Sequence, residues 1–310
     1  MFHLNRNHGI PRCCLAALAG LTATVALAAA RPEPAAPPDL QIELIPIKAG
    51  VFMMGSPSNE LYRSAEEGPV TRVTITRDFW LGKHEVTRAQ YEAIMGPTPD
   101  PDAKNKEKRG VAPKPEPGAD KFRYPIVNVS WDQAMEFCAK LTDRERAAGR
   151  LPAALKYTLP TEAQWEYACR AGATTRHYLG DNDEDLEKIA WFVKTTGPFN
   201  RSDIPVLHQV GRKKPNAWGL HDMLGNVREW VLDWYSPYPG GEVTDPAGPD
   251  QPLTLNKRER RFKIMRGGAW IDSKRAVRCA ARNWAAPEYG TPAGFQEGTV
   301  GFRVAVTAIH

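Results

Sequence analysis

The stretch "GLHDMLGNVREWVLDWY", residues 219–235, sets Asp222 and Glu229 seven positions apart around a Gly225–Asn226 turn, with Trp230, Trp234 and Tyr235 close behind. A hard cation such as calcium takes six to eight oxygens, some from carboxylates and some from main-chain carbonyls. A glycine turn can aim carbonyls inward, so an acid, two carbonyls and a second acid can form one side of such a site. The same spacing suits a tightly packed corner, and Trp230 and Trp234, four apart, read as core residues. Spacing alone leaves metal site, catalytic centre and structural corner open.

The other chemistry-bearing residues narrow the choice. Cys13 and Cys14 lie in the leader described below, which leaves Cys138, Cys169 and Cys279. In an oxidising compartment these permit one disulfide and leave one thiol over. The absence of a CxxC pair argues against a zinc ribbon or a thioredoxin-like centre. His84, His177, His208, His221 and His310 show no helical metal-ligand spacing. The run "KRERRFKIMR" (Lys257–Arg266) is basic, but Phe262, Ile264 and Met265 interleave it as in a half-buried strand with a solvated face. That pattern, with a near-balanced net charge, argues against a nucleic-acid partner.

These residues need elements to position them. The first thirty residues carry Arg6 and Arg12, then the apolar run "LAALAGLTATVALAAA", ending in small residues. This is the pattern of a cleaved secretory signal, so the mature chain is expected to be secreted or periplasmic, without a membrane span. Without those two arginines the net charge falls from +5 to +3. Residues 31–41 read as a proline-rich linker. Residues 42–56 and 70–86 alternate apolar and polar residues with β-branched enrichment, which predicts strands. Helices are expected to start at Thr87, Ser130 and Thr161, each with a glutamine three positions on to complete a capping box. Gly172 is placed to end the third. Residues 96–121, rich in proline and lysine, read as a surface insertion. With 25 glycines and 27 prolines among 310 residues, the domain over 42–310 is expected to be α+β with much irregular structure.

The opening stretch also resembles a known signature. "GLHDMLGNVREW" is similar to a conserved block of the formylglycine-generating enzyme (sulfatase-modifying factor) family. "GVFMMGS", "HEVTRAQYEAIM", "PIVNVSWDQAMEFC", "LPTEAQWEYACRAG", "RGGAW", "RCAARN" and "GFRVA" resemble further blocks in the family's order, over roughly residues 44–306. The resemblance implies a C-type-lectin-like variant fold in a single domain. It also implies a structural calcium held by Asp222, the carbonyls of Gly225 and Val227, and Glu229. The family's other calcium site is in doubt, because Trp191 stands where an asparagine ligand is expected. A disulfide between Cys169 and Cys279 is implied as well, with Cys138 unpaired because its family partner position is Val304.

The family's oxidases convert a substrate cysteine to formylglycine with molecular oxygen, using two thiolates that bind copper(I). In "RGGAWIDSKRAVRCAAR" the first of those positions carries Asp272 and the second is lost in a shortened stretch; Ala269 replaces the usual serine. An aspartate cannot replace a thiolate for copper(I), so copper is not expected here; iron stays open. Two readings follow. One is an altered oxidoreductase, or a divergent member that does not generate formylglycine, with Asp272, Trp270 and Arg278 as its candidate pocket. Metal partners for Asp272 would come from distant residues such as His208, His221 or Glu288. The other is a calcium-stabilised lectin-like module for a peptide or glycan, using Trp270, Trp284, Tyr289, Arg275, Arg278 and Arg282. The partner is an unidentified protein or peptide substrate, or a glycan.

Overall fold

The alternating segments form four strands: β1 (Leu44–Ile47), β2 (Gly50–Met54), β3 (Thr71–Ile75) and β4 (Phe79–Gly82). The computed structural model describes residues 41–98, 123–196, 207–255, 258–289 and 298–309. The expected leader (1–30), the linker up to residue 40 and most of the 96–121 insertion lie outside them. β1 pairs antiparallel with β4, and β2 with β3.

Three helices start at the capping boxes: α1 (Arg88–Met95), α2 (Trp131–Ala147) and α3 (Glu162–Arg170). In each, the hydroxyl of Thr87, Ser130 or Thr161 accepts from the amide of Gln90, Gln133 or Gln164. Each glutamine carboxamide oxygen accepts in return from the capping residue's own amide. Such caps contribute about 1 kcal/mol apiece. The end of α3 differs from expectation, because Ala171 already takes the left-handed conformation at φ 46° before Gly172 at 91°. The side chain of Asn216 supplies the reason: its Nδ2 donates to the carbonyls of Ala168 and Cys169, closing the helix from outside.

The remaining elements are short. They are β5 (Leu155–Thr158), α4 (Asp183–Ile189), α5 (Val193–Thr196), β6 (Arg228–Trp234), β7 (Gly241–Thr244), β8 (Leu253–Leu255), β9 (Arg258–Arg260), β10 (Lys263–Arg266), β11 (Arg282–Ala285), β12 (Val300–Gly301) and β13 (Ala305–Ala308). Described strands make sheets in the orders β1-β4-β13-β5, β11-β10-β6-β12 and β2-β3-β7, plus the β8-β9 hairpin. β12 runs parallel to β6, and β7 parallel to β3. The result is an α+β domain in which long irregular stretches cross between small sheets.

Two apolar clusters hold these pieces together. One gathers Phe79, Leu81, Trp165, Leu220, Met223, Val231 and Ile264; the other gathers Tyr91, Phe137, Leu159, Trp230, Phe302 and Val304. Burying such side chains contributes about 1.5–3 kcal/mol each. The basic run corrects the expectation of a solvated strand face, because all four residues of β10 are buried. Lys263 lies with its Nζ 3.8 Å from the ring centre of Trp131 and 3.9 Å from that of Trp234, and it donates to the carbonyl of Leu232. Arg266 is paired inside with Glu162 and Glu166. Burial was permitted because each cation found carboxylates, carbonyls or aromatic faces within reach.

Candidate functional site: an acid corner and the 267–279 loop

The "GLHDMLGN" stretch is a loop that leads into β6 and bridges to Trp191 at Gly225. Gly225 sits at φ 82°, and a Cβ there would lie 2.2 Å from the carbonyl oxygen of Trp191, so only glycine lets the two backbones meet. Asp222 and Asn226 also take left-handed φ values, 53° and 58°. Asn226 holds the corner: its Nδ2 donates to Glu85 Oε2 (2.8 Å) and to the carbonyl of His208, while its Oδ1 accepts from the His208 amide.

Glu229 faces the core from β6 and is fully buried. Arg303 meets it through two parallel bonds, Nε to Oε2 (2.6 Å) and Nη2 to Oε1 (2.7 Å), and Trp165 Nε1 donates to Oε2. Asp222 accepts at Oδ2 from the Gly211 amide (2.6 Å); its Oδ1 is buried with no partner among the described residues. Glu85, which sequence reasoning missed, completes the corner by accepting at Oε1 from the Val227 amide. Burial, and then the charge of Asp222, push the Glu85 carboxyl well above the usual range. Burial raises Asp222 to about 6.

Three buried carboxyls therefore share one nearby guanidinium, that of Arg303. Such a cluster must bind protons or gain a cation. The residues fit a calcium ion at Asp222, whose lone oxygen and surplus charge call for one. At Glu229 the ion would share a carboxylate already held by Arg303 and Trp165. No trio of His, Cys, Asp or Glu among the described residues is arranged to ligate a metal. A cation here would thus draw on main-chain carbonyls, as the Gly225 and Val227 assignment requires. Trp191 lies against His208 with ring centres 3.5 Å apart, and Lys213 covers the Trp191 ring at 3.9 Å.

The thiols occupy two places. Cys169, on α3, and Cys279 are fully buried with their sulfurs 3.6 Å apart, unbonded but side by side. Cys138 lies in the other apolar cluster, with Val304.

The loop 267–279 corrects the candidate pocket of Asp272, Trp270 and Arg278. Asp272 is clasped by Arg228 through two bonds (3.0 and 2.7 Å), and its Oδ2 also accepts from the Ala269 amide. Trp270 is 1% exposed and donates from Nε1 to the carbonyl of Gly298, which makes it core. Arg278 is engaged elsewhere, by Glu60 and Glu67, which neutralise it. The three side chains thus serve three separate anchorages. The Trp270 ring and the Arg278 charge found partners in the core, and Asp272 found its partner at the half-buried Arg228.

Arg282 is likewise internal, in a two-bond pair with Glu162. Trp284 is half-buried against Tyr235 with ring centres 4.8 Å apart, and Tyr289 is half-buried at the edge of the second apolar cluster. Lys274 and Arg275 reach solvent. His208 and His221 do not join Asp272 in a metal trio: His208 stacks on Trp191, and His221 faces His84 with ring centres 5.0 Å apart.

Sequence reasoning also missed the buried ion lattice of Glu162, Glu166, Arg170, Arg266 and Arg282, and the separate Arg303–Glu229 pair. Their only local trace is arginine and glutamate inside otherwise apolar blocks such as "GFRVA" and "WEYACR".

This corner and loop can be compared with known proteins. The family model for the sulfatase-modifying factor enzyme 1-like domain matches residues 30–308. The formylglycine-generating enzyme of Streptomyces coelicolor (strain ATCC BAA-471 / A3(2) / M145) is 29% identical over 90% of this chain and 93% of its own length. Among solved structures, PvdO from Pseudomonas aeruginosa superposes with a TM-score of 0.63 at 26% identity, covering 86% of this chain and 95% of that one. Treponema denticola variable protein 1 shares the fold, with a TM-score of 0.65 at 24% identity over 84% of this chain and 94% of that one. The chain belongs to the sulfatase-modifying factor family.

Proposed function

We propose that this protein is a divergent member of the family that does not generate formylglycine by copper-thiolate chemistry. The observation that carries the reading is the Arg228–Asp272 clasp. Where the family resemblance places a copper-binding thiol, this chain has a carboxylate whose two oxygens are occupied by a guanidinium and a main-chain amide. A hard carboxylate so engaged offers copper(I) neither a soft donor nor an open coordination position. Any retained oxidoreductase activity would need a different centre.

The mature chain is exported after loss of residues 1–30, and Cys169 and Cys279 join in the oxidising compartment it reaches. A calcium ion held by Asp222, the carbonyls of Gly225 and Val227, and Glu229 staples the corner. Its role is structural, since it would lie among buried groups that hold loops together.

A second reading, a lectin-like module for a peptide or glycan, is favoured by the half-buried Tyr235–Trp284 pair. Such rings suit an extended ligand. One preparation tests both readings. Purified protein, with copper(I) and oxygen, is incubated with a cysteine peptide of the sulfatase type, and formation of the aldehyde is followed by mass spectrometry. The same protein is applied to glycan and peptide arrays. The first reading expects no aldehyde, and stoichiometric turnover would overturn it; specific array binding would support the module.

A further inference from the structure

Tyr62 is a bulky aromatic residue at φ 71°, a left-handed conformation that such side chains rarely adopt. Strain of this kind persists where the surroundings enforce it, and it clusters at ligand sites. The enforcement is visible here. Arg278 Nη2 donates to the Tyr62 carbonyl (3.1 Å), and Arg278 is itself fixed between Glu60 and Glu67. The loop that bears Tyr62 is thereby tied to the 267–279 loop, and its ring is presented to three cations. Arg176, Lys274 and Arg275 lie with their charged groups 5.6, 5.3 and 5.3 Å from the ring centre.

The charges of these three are unequally met. Lys274 and Arg176 share one carboxylate, Asp183. The Asp181 carboxylate accepts from the Arg176 main-chain amide, and the Asp181 carbonyl accepts from the Arg176 side chain. Glu60 and Glu67 are turned to Arg278. Arg275 is exposed and makes no ion pair among the described residues. Arg176 is 95% buried by its 5% exposure, yet its Nε and Nη1 have no acceptor among the described residues. Buried guanidinium N–H groups without acceptors are costly, so this is a place where an acceptor-rich group would be stabilised.

We propose that Tyr62, Lys274 and Arg275, backed by Arg176, form a binding site for a tetrahedral oxyanion, a phosphate or sulfate group. Several oxygens on one centre can accept from a guanidinium fork, an ammonium and the Tyr62 hydroxyl together, which a single carbonyl cannot do. The proposal goes beyond the reading above, because these side chains are distinct from Asp272 and from the Tyr235–Trp284 pair. It holds whichever chemistry the loop performs.

Calorimetric titration with sodium phosphate and sodium sulfate, against sodium chloride at matched ionic strength, tests it. Saturable binding is expected, weakened about tenfold in Arg275→Ala by loss of one charge-assisted contact. The melting temperature of that variant in chloride should match the parent, since Arg275 is exposed. Tighter binding of 4-nitrophenyl phosphate or 4-nitrophenyl sulfate than of the free ions would assign the site to an ester-bearing ligand. Equal affinities would assign it to the free oxyanion. Absence of saturable binding, or an Arg275→Ala variant that binds as tightly as the parent, would overturn the proposal.

Discussion

Asp233 lies on β6, four residues beyond Glu229, and is 5% exposed. Its Oδ2 accepts from the amide of Glu162, the first residue of α3 (2.8 Å). Burial, reinforced by the Glu162 carboxylate, raises its carboxyl from 3.8 to about 7, against the lowering effects of that amide, Lys263 and Arg282. A carboxyl whose folded value exceeds its unfolded one binds more protons in the folded state over the interval between them. Stability therefore falls as pH rises from about 4 to about 7. Three units at ~1.4 kcal/mol each give a total of about 4 kcal/mol. Asp233→Asn keeps the acceptor for the Glu162 amide and removes the ionisation, so the variant should lack this slope. Lys263, whose amine burial lowers to about 8, loses a countercharge in the variant and offsets part of the gain. About two of the three units fall between pH 5 and pH 8, so the stability difference between variant and parent should move in the variant's favour by about 2 kcal/mol over that interval. Urea unfolding at both pH values measures it. If the difference is the same at pH 5 and pH 8, then Asp233 is not a buried acid with a raised pKa, and the reasoning fails.

Two other perturbations address the corner and the thiols. Glu229→Ala leaves Arg303 buried without its carboxylate and should cost about 3–5 kcal/mol in urea unfolding. Chelation should lower the melting temperature of the parent but not of this variant; a parent melt unmoved by chelator would remove calcium from the corner. Non-reducing peptide mapping of protein prepared under oxidising conditions should link Cys169 to Cys279 and find Cys138 reduced, and a bridge containing Cys138 would refute that pairing.

Local signals and long-range ones were unequally legible. The three capping boxes could be read from four residues each, because every partner in them lies within one turn. Trp230 as core and the strands over 42–56 and 70–86 followed from periodicity in the same way. Gly225 marked the turn, but not the reason for it, since the Trp191 carbonyl that forbids a side chain comes from 34 positions earlier. Glu85 was invisible as a member of the acid corner, because its partners Asn226 and Val227 are 141 and 142 positions away. Lys263 and Arg266 were misread as a solvated face, since nothing in "KRERRFKIMR" announces Trp131, Trp234, Glu162 or Glu166. Asp272, Trp270 and Arg278 were grouped because the family resemblance places their segment at the substrate groove. An irregular loop need not present neighbours to one side, and this loop sends them to three anchorages.

The same observation shows what fixes the 267–279 loop. With few long helices or wide sheets among the described residues, this chain fixes its irregular segments by ion pairs that are buried, Arg266 with Glu162 and Glu166, Arg278 with Glu60 and Glu67, and Arg303 with Glu229, or half-buried, Arg228 with Asp272. Pairs of this kind add little net stability over a well-packed apolar alternative, but breaking one strands a charge, so each specifies a single loop arrangement. Asp272 belongs to this set. Through Arg228 it fastens the 267–279 loop to β6. Lys274 and Arg275, two and three positions further on, are then free to face solvent on a fixed backbone. The physical consequence is a fixed frame that displays a short cationic segment beside Tyr62, which is the arrangement the proposed oxyanion site requires.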